Sequence, residues 1–394
     1  MDPRRLLELC QQLQPQLIEW RRDFHQHPEL AFKEIRSSER IAQVLRTLGY
    51  EPITGLAETG LIAPIAGQRP NPRVLLRFDM DALPIEEATH AEYASKNAGV
   101  MHACGHDGHM AIGMGVATIL RQIEADLPGS AVLLFQPAEE GQGGARRMLE
   151  EGVLDKVAAD YALGFHIWNE KPLGWLGLTP GPCMAGSDSF TITLSGKGGH
   201  GAQPHLAHDP ILAAAHLVTA LQAIVSRNVD PLQAAVLSIT QIQGGDAFNV
   251  IPAEVRLHGT IRTFSTDIRN KILEEMQRIS EHQAQSFQCH ANVQIQDITP
   301  PLVNASGLAK RLVDRFRDLL PDAVIDDAHR VMGSEDMAYF LAQIPGCYFF
   351  VGSANSERGL NAAHHNPRFD FDEAVLSRAV YLCVQATLNL MEVT

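Results

Sequence analysis

Three short apolar runs constrain this chain most: Val74-Leu75-Leu76-Arg77-Phe78-Asp79, Ala131-Val132-Leu133-Leu134-Phe135-Gln136, and the stretch from Tyr161 to His166. Each is bounded by turn signals, is too short for an ordinary helix, and reads as a buried strand. Helical patterns lie around them, at 4–24, 37–48 (with Gly49 as the stop signal), 109–123 and 143–151. Strands alternating with helices predict an α/β domain with a largely parallel sheet. Asp79, Glu139 and His166 all fall at or just past the carboxyl ends of these strands. Open α/β sheets bind ligands at that edge.

After Pro180-Gly181-Pro182 the pattern changes. Strand-like segments at 187–195, 234–243, 254–264 and 290–296 are interleaved with helical ones at 210–227 and 267–285. The order β-α-β-β-α-β is that of a ferredoxin-like sandwich. From Pro300 helices and short strands return, at 308–320, 347–351 and 374–390. A chain of 394 residues exceeds what one core usually organises. The reading is a discontinuous metal-binding catalytic domain, 1–184 and 298–394, interrupted by a smaller α+β domain at 185–297.

A formal net charge of -14 argues against nucleic acid or an anionic membrane surface as a partner. The start, Met1-Asp2-Pro3-Arg4-Arg5-Leu6-Leu7, lacks the apolar run of a secretory signal, and no uninterrupted apolar segment reads as membrane-spanning. The cysteines Cys10, Cys104, Cys183, Cys289, Cys347 and Cys383 are scattered, with no spacing of a disulfide framework. A reducing cytoplasm fits, and there Cys104 remains available as a thiolate.

Met101-His102-Ala103-Cys104-Gly105-His106-Asp107-Gly108-His109 concentrates imidazole and thiolate, the side chains that suit zinc and its neighbours. Read alone, it is a metal-binding segment or a histidine-rich loop. Glu139-Glu140 directly follows a buried strand. Neighbouring carboxylates repel unless a cation or proton compensates; alternatively, the pair is the acidic start of a helix. His166 alone suits a packed histidine, and His364-His365 a loop. Together, at strand ends and loops, they point to a metal site.

The stretches Arg22-Asp23-Phe24-His25-Gln26-His27-Pro28-Glu29-Leu30, Asp79-Met80-Asp81-Ala82-Leu83-Pro84, the Cys104 segment, Gln136 to Gly141, Gly198-Gly199-His200-Gly201-Ala202, Asn249-Val250-Ile251-Pro252, Gly333-Ser334-Glu335-Asp336 and His365-Asn366-Pro367 occur in this order over nearly the whole chain. In this the chain resembles the metallo-aminoacylase and carboxypeptidase superfamily, in the branch of hippurate hydrolase, bacterial N-acyl-amino-acid amidohydrolases and plant auxin-conjugate hydrolases. The resemblance implies two divalent metal ions, zinc first, with manganese, cobalt or nickel as alternatives. It makes Cys104 the bridge, with His106 and His166 on one ion and Glu140 and His365 on the other. In most of the superfamily the bridge is an aspartate, and a histidine stands where this chain has Asp79. The ligand before Asn-Pro is His365 by adjacency, with His364 one register away.

The resemblance also implies that Glu139 is the general base for water attacking an amide carbonyl. Asp81 and Asp107 are candidate orienters of metal-bound imidazoles, or capping aspartates. His200 is a candidate oxyanion donor, used by relatives across a dimer interface, which implies a homodimer through the inserted domain. Asn249 and Arg262 are candidate binders of a substrate carboxylate; Arg262 alone also suits an exposed strand position. His102 and His109 are assigned to packing or to the support of metal ligands, and His205, His208 and His216 to surface or packing. The expected activity is hydrolysis of N-acyl (acetyl, benzoyl or other aryl-acyl) amino acids to a carboxylate and a free amino acid. The competing activity is that of a metallocarboxypeptidase or dipeptidase using the same site; a non-catalytic ligand-binding protein is the reading from another class.

Overall fold

The structure, a computed structural model, describes residues 2–392. The chain divides into two compact units, Met1–Cys183 with Val303–Arg330 and Asp336–Thr394, and Met184–Leu302 with Val331–Glu335. The first is built on an eight-stranded sheet. Its strand order is Ile53–Leu56, Gly60–Ile65, Ser130–Gln136, Arg73–Asp79, Tyr161–Pro172, Gly346–Ala354, Trp175–Gly177 and Val324–Asp326. The four central strands are parallel. The sheet as a whole is mixed, because Gly60–Ile65 and Trp175–Gly177 run antiparallel to their central neighbours. The Ile53–Ile65 hairpin lay outside the sequence reading. It turns through Ala57 and Glu58, both in the left-handed region without being glycine, so no turn residue marks it.

Asp79 and Gln136 are the last residues of adjacent strands, whereas the strand carrying His166 runs on to Pro172. Asp79 sits opposite Gln136, and Phe350 opposite His166. Behind them runs the helix His106–Gln122, almost wholly buried, packed against Arg73–Asp79 and the helices Gln14–Gln26 and Val375–Met391. Small residues make that possible: a Cβ at Gly113 would lie 2.6 Å from the Phe135 ring. This helix starts at His106 rather than His109. Its first turn is polar in sequence yet buried, so the apolar pattern underestimates it. The expected helix over 4–24 is two, Pro3–Gln12 and Gln14–Gln26. Pro15 lies in the first turn of the second, where a missing N–H is tolerated but cannot continue the preceding helix.

The inserted unit is a four-stranded antiparallel sheet in the order Ala235–Gln243, Glu254–Thr263, Gly186–Ser195, His290–Thr299. Helices Pro210–Ala223 and Thr266–Ser286 complete it, giving the ferredoxin-like order. Asp209 and Ser265 cap them through their side chains. By length and composition alone the stretch Pro210–Asn228 would pass for a membrane span. Its Ala213, Ala214, Leu217 and Leu221 pack into the core of this unit.

A buried charge cluster ties the first unit together. Arg21, fully buried, donates to Asp107 at 2.8 Å, Asp370 at 2.7 Å and Glu373 at 3.3 Å. His25 Nδ1 adds a 2.8 Å bond to Asp107, and the Tyr93 hydroxyl donates to Asp370 at 2.7 Å. Burial alone would raise the Asp107 carboxyl, but Arg21 and His25 outweigh it and hold it well below the usual carboxylate range. Removing the guanidinium strands two carboxylates in a dry environment. Arg21→Met is therefore expected to lose about 3–5 kcal/mol of stability in urea unfolding near neutral pH. Because the folded Asp107 carboxyl is depressed, its stabilisation is complete above the unfolded value of about 3.9 and is lost as pH falls towards the folded one. The deficit of Arg21→Met should accordingly shrink in acid.

Candidate metal centre

Cys104 sits in the loop that feeds the buried helix. Gly105 follows it with φ +98°, and a Cβ there would meet Ile167 Cδ1 at 2.5 Å. Only glycine satisfies both the left-handed backbone and the close approach. The thiol thereby comes within 3.4 Å of Nε2 of His166, which lies midway along the strand Tyr161–Pro172 and not at its end as the sequence suggested. That is close to the spacing of two donors on one tetrahedral ion with bonds of about 2.0–2.3 Å.

The ring partners set which nitrogen is offered. His106 Nδ1 lies 2.8 Å from the Asp81 carbonyl and donates to it, leaving Nε2 buried without a hydrogen-bond partner. His166 Nδ1 donates in the same way to the Ile167 carbonyl at 2.5 Å, leaving Nε2 towards the thiol. Glu140 Oε1, also buried without a hydrogen bond, lies 3.2 Å from His365 Nε2. His365 is held with φ +65°, its amide bonded to the Ala103 carbonyl at 2.8 Å.

Two groups share one sulfur. Donor atoms of Cys104, His106 and His166 lie within 4.8 Å of one another, and so do those of Cys104, Glu140 and His365. Glu139 forms a further group of that size with His106 and Glu140. His364 belongs to neither group, although its Nδ1 lies 3.8 Å from the Cys104 sulfur. Its Nε2 accepts the Asn169 amide at 3.1 Å and its Nδ1 faces the Cys104 carbonyl at 3.2 Å. His109 is likewise spent: Nδ1 bonds Asp79 at 2.6 Å, and Nε2 accepts the Ile167 amide at 3.0 Å.

Asp81 orients more than an imidazole. Its carboxylate accepts the Glu139 and Glu140 amides, each at 3.0 Å, while its carbonyl takes the His106 proton. Asp107, expected as an orienter of a metal-bound imidazole, instead faces Arg21 and His25. Its place on the far side of the helix turn from His106 was not legible from spacing. Asp79 is clamped by Arg77 at 2.5 Å, and Arg77 also reaches Gln136 and Asp336 at 2.8 Å. An arginine inside the apolar run 74–79 was the visible signal of that network; Arg21 and His25 gave none before their partners were placed.

The electrostatics invite a cation. Burial, then the charges of Glu140, Glu139 and Asp79, raises the Cys104 thiol well above its ordinary range. Burial opposes charge on His106, yet Asp79, Asp81 and Glu140 raise it to about 10. Burial, with His109 and His364, keeps His166 neutral. Protons thus stand on sulfur and on His106 where a divalent ion would replace them. The orphaned His106 Nε2, the Glu140 carboxylate beside His365 and the shared thiol fit a pair of such ions.

Residues 75–389 match the model of peptidase family M20/M25/M40. The chain belongs to this family. It is 40% identical over 380 residues to an N-acetyl-L-cysteine deacetylase of Bacillus subtilis, covering 96% of this chain and 89% of the relative. It is 38% identical over 364 residues to thermostable carboxypeptidase 1 of Saccharolobus solfataricus, 91% of each. A dinuclear metal-binding M20 peptidase from Bacillus subtilis superposes with a TM-score of 0.86 at 34% identity, covering 98% of this chain and 100% of that one. This M20 protein is accordingly a hydrolase of the amidohydrolase and peptidase type, with a site for two metal ions.

In the inserted unit His200 and Asn249 are brought together. The two-residue strands Gly199–His200 and Val250–Ile251 pair, and the Gly201 amide donates to the Asn249 carbonyl at 2.8 Å. His200 is exposed; its Nδ1 accepts the Ala202 amide at 3.1 Å, which places the ring proton on Nε2. Arg262 lies on a different element, the Glu254–Thr263 strand, half-buried, with its guanidinium donating to the Ile261 carbonyl at 3.0 Å. In metal analysis of the purified protein, His365→Ala is expected to lose about one of two ion equivalents, and His364→Ala to retain both. The reverse pattern would show that the ligand is the other histidine.

Proposed function

We propose that this M20 protein hydrolyses N-acyl amino acids, releasing a carboxylate and a free amino acid. The observation that carries the reading is Cys104 shared by two donor groups, with Glu139 beside one of them. In this reading His106 and His166 would hold one ion and Glu140 and His365 the other, with the Cys104 sulfur common to both groups. Two divalent ions supply Lewis acidity, polarising an amide carbonyl and lowering the pKa of water. The thiolate favours zinc, with cobalt, nickel and manganese as the other candidates.

The protein's own groups then do the proton work. Glu139, its amide fixed by Asp81, takes the proton of the attacking water and delivers it to the leaving nitrogen. His200, with its proton on Nε2, is suited to donate to the developing oxyanion. Arg262 and Asn249 are suited to hold the substrate carboxylate. Glu139→Gln should keep its metal while kcat falls by at least about 100-fold. Full turnover by that variant, or the same behaviour from Glu140→Gln, would overturn the assignment.

Peptide hydrolysis is the second reading, favoured by the similarity to a carboxypeptidase. A free carboxylate beside the scissile amide suits both substrates. Comparing kcat/KM for hippurate, N-acetyl-methionine and a blocked dipeptide, after loading with zinc, manganese, cobalt or nickel, separates them. The acyl amino acids are expected to lead by at least about tenfold.

The reading includes a homodimer through the inserted unit and a reducing, cytoplasmic setting. All six cysteines are free thiols. Ala235–Gln243 is an edge strand, and Ile211, Leu212, Ile242, Phe248 and Val250 of that unit are exposed. Edges and apolar surface of this kind favour pairing with a second copy. Sedimentation should give a dimer, and Ile242→Glu with Phe248→Glu a monomer.

A further inference from the structure

Glu34 lies at the start of the helix Ile35–Thr47 and is completely buried, yet it belongs to none of the donor groups described above. One carboxylate oxygen accepts the Ala138 amide at 3.0 Å; the other accepts the Thr59 hydroxyl at 2.6 Å. Ala138 occupies the left-handed region at φ +56°, a strained conformation for a non-glycine residue that persists only when its surroundings impose it. Its carbonyl is held from the other side by the Gly144 amide at 3.0 Å. With Asp81 taking the next two amides, three consecutive N–H groups, 138 to 140, end on buried carboxylates.

That matters because Glu139 and Glu140 are neighbours with different tasks. The torsion at Ala138 sets the direction in which the chain enters the pair. We propose that Glu34 is a positioning residue: by fixing Ala138 it directs Glu139 towards the reacting water and Glu140 towards the ion. The inference rests on the reading of Glu139 as general base. The groups facing Glu34 are the Thr59 hydroxyl, the Ala138 amide and, through space, the Asp81 carboxylate. Burial pushes its carboxyl up to about 7, so the neutral form is within reach, and a neutral amide of the same shape should serve in its place.

The test compares three variants with the metal-loaded parent on N-acetyl-methionine. Glu34→Asp keeps the charge and falls one methylene short of Ala138. Glu34→Gln keeps the reach: its oxygen accepts the Ala138 amide and its NH2 donates to Thr59. Glu34→Ala and Glu34→Asp are expected to lower kcat about 10–100-fold with KM and both metal equivalents kept, while Glu34→Gln stays within about threefold of the parent. Full kcat in Glu34→Asp, equal damage in Glu34→Gln, or a loss confined to KM or metal content would overturn the proposal. If Glu34→Ala does not fold, the Asp and Gln pair decides by the same criteria. Turnover surviving in Glu139→Gln refutes the base assignment; an inactive Glu139→Gln beside a fully active Glu34→Asp refutes the positioning role alone.

Discussion

One aspartate joins the two halves of this site. Asp81 takes the His106 ring proton on its main chain and the Glu139 and Glu140 amides on its side chain. The loop after one central strand thus fixes both the first turn of the buried helix and the loop after the neighbouring strand. Hydrogen bonds from backbone amides to a carboxylate resist rearrangement in a dry setting. The donor geometry is therefore a property of the parallel sheet core: register aligns the strand ends, and Asp81 locks what emerges from them.

Charge organises the surroundings in layers. Asp79 and Asp107 are buried, and each is answered by an arginine, Arg77 and Arg21 respectively. Around the thiol the balance reverses: Glu139 and Glu140 face Cys104, while His166 is kept neutral. Those two aspartates are each met by a guanidinium, whereas the Glu140 carboxylate beside the thiol meets the His365 imidazole. That contrast, more than the number of histidines, separates the Cys104 segment from a histidine-rich loop.

Much of this was legible in the sequence. Short apolar runs ended by Asp79, Gln136 and His166 marked the central strands and the functional edge, because a buried parallel strand leaves no choice of residue until it emerges. Cys104, His106, Glu140, His166 and His365 were named as candidate donors through the family resemblance, and the structure gathers their donor atoms into two groups. The antiparallel hairpin at 53–65 was not readable, its turn being made by Ala57 and Glu58. Nor were the roles of Arg21, His25 and Glu34, which depend on partners from distant parts of the chain. The choice between His364 and His365 needed coordinates too, because only hydrogen bonding from Asn169 shows that one ring is already engaged.

The donors come from a loop before the buried helix, a strand-end loop, a central strand and a segment close to the last helix, so no local stretch of chain contains them. Closing such separations costs entropy that is regained only when the central sheet is assembled. An ion held by Cys104 and His365 joins the early and late parts of the polypeptide, and it binds the folded chain far better than the unfolded one. Such an ion would act as a clip between the chain's beginning and its end, and its loss would be expected to loosen that seam.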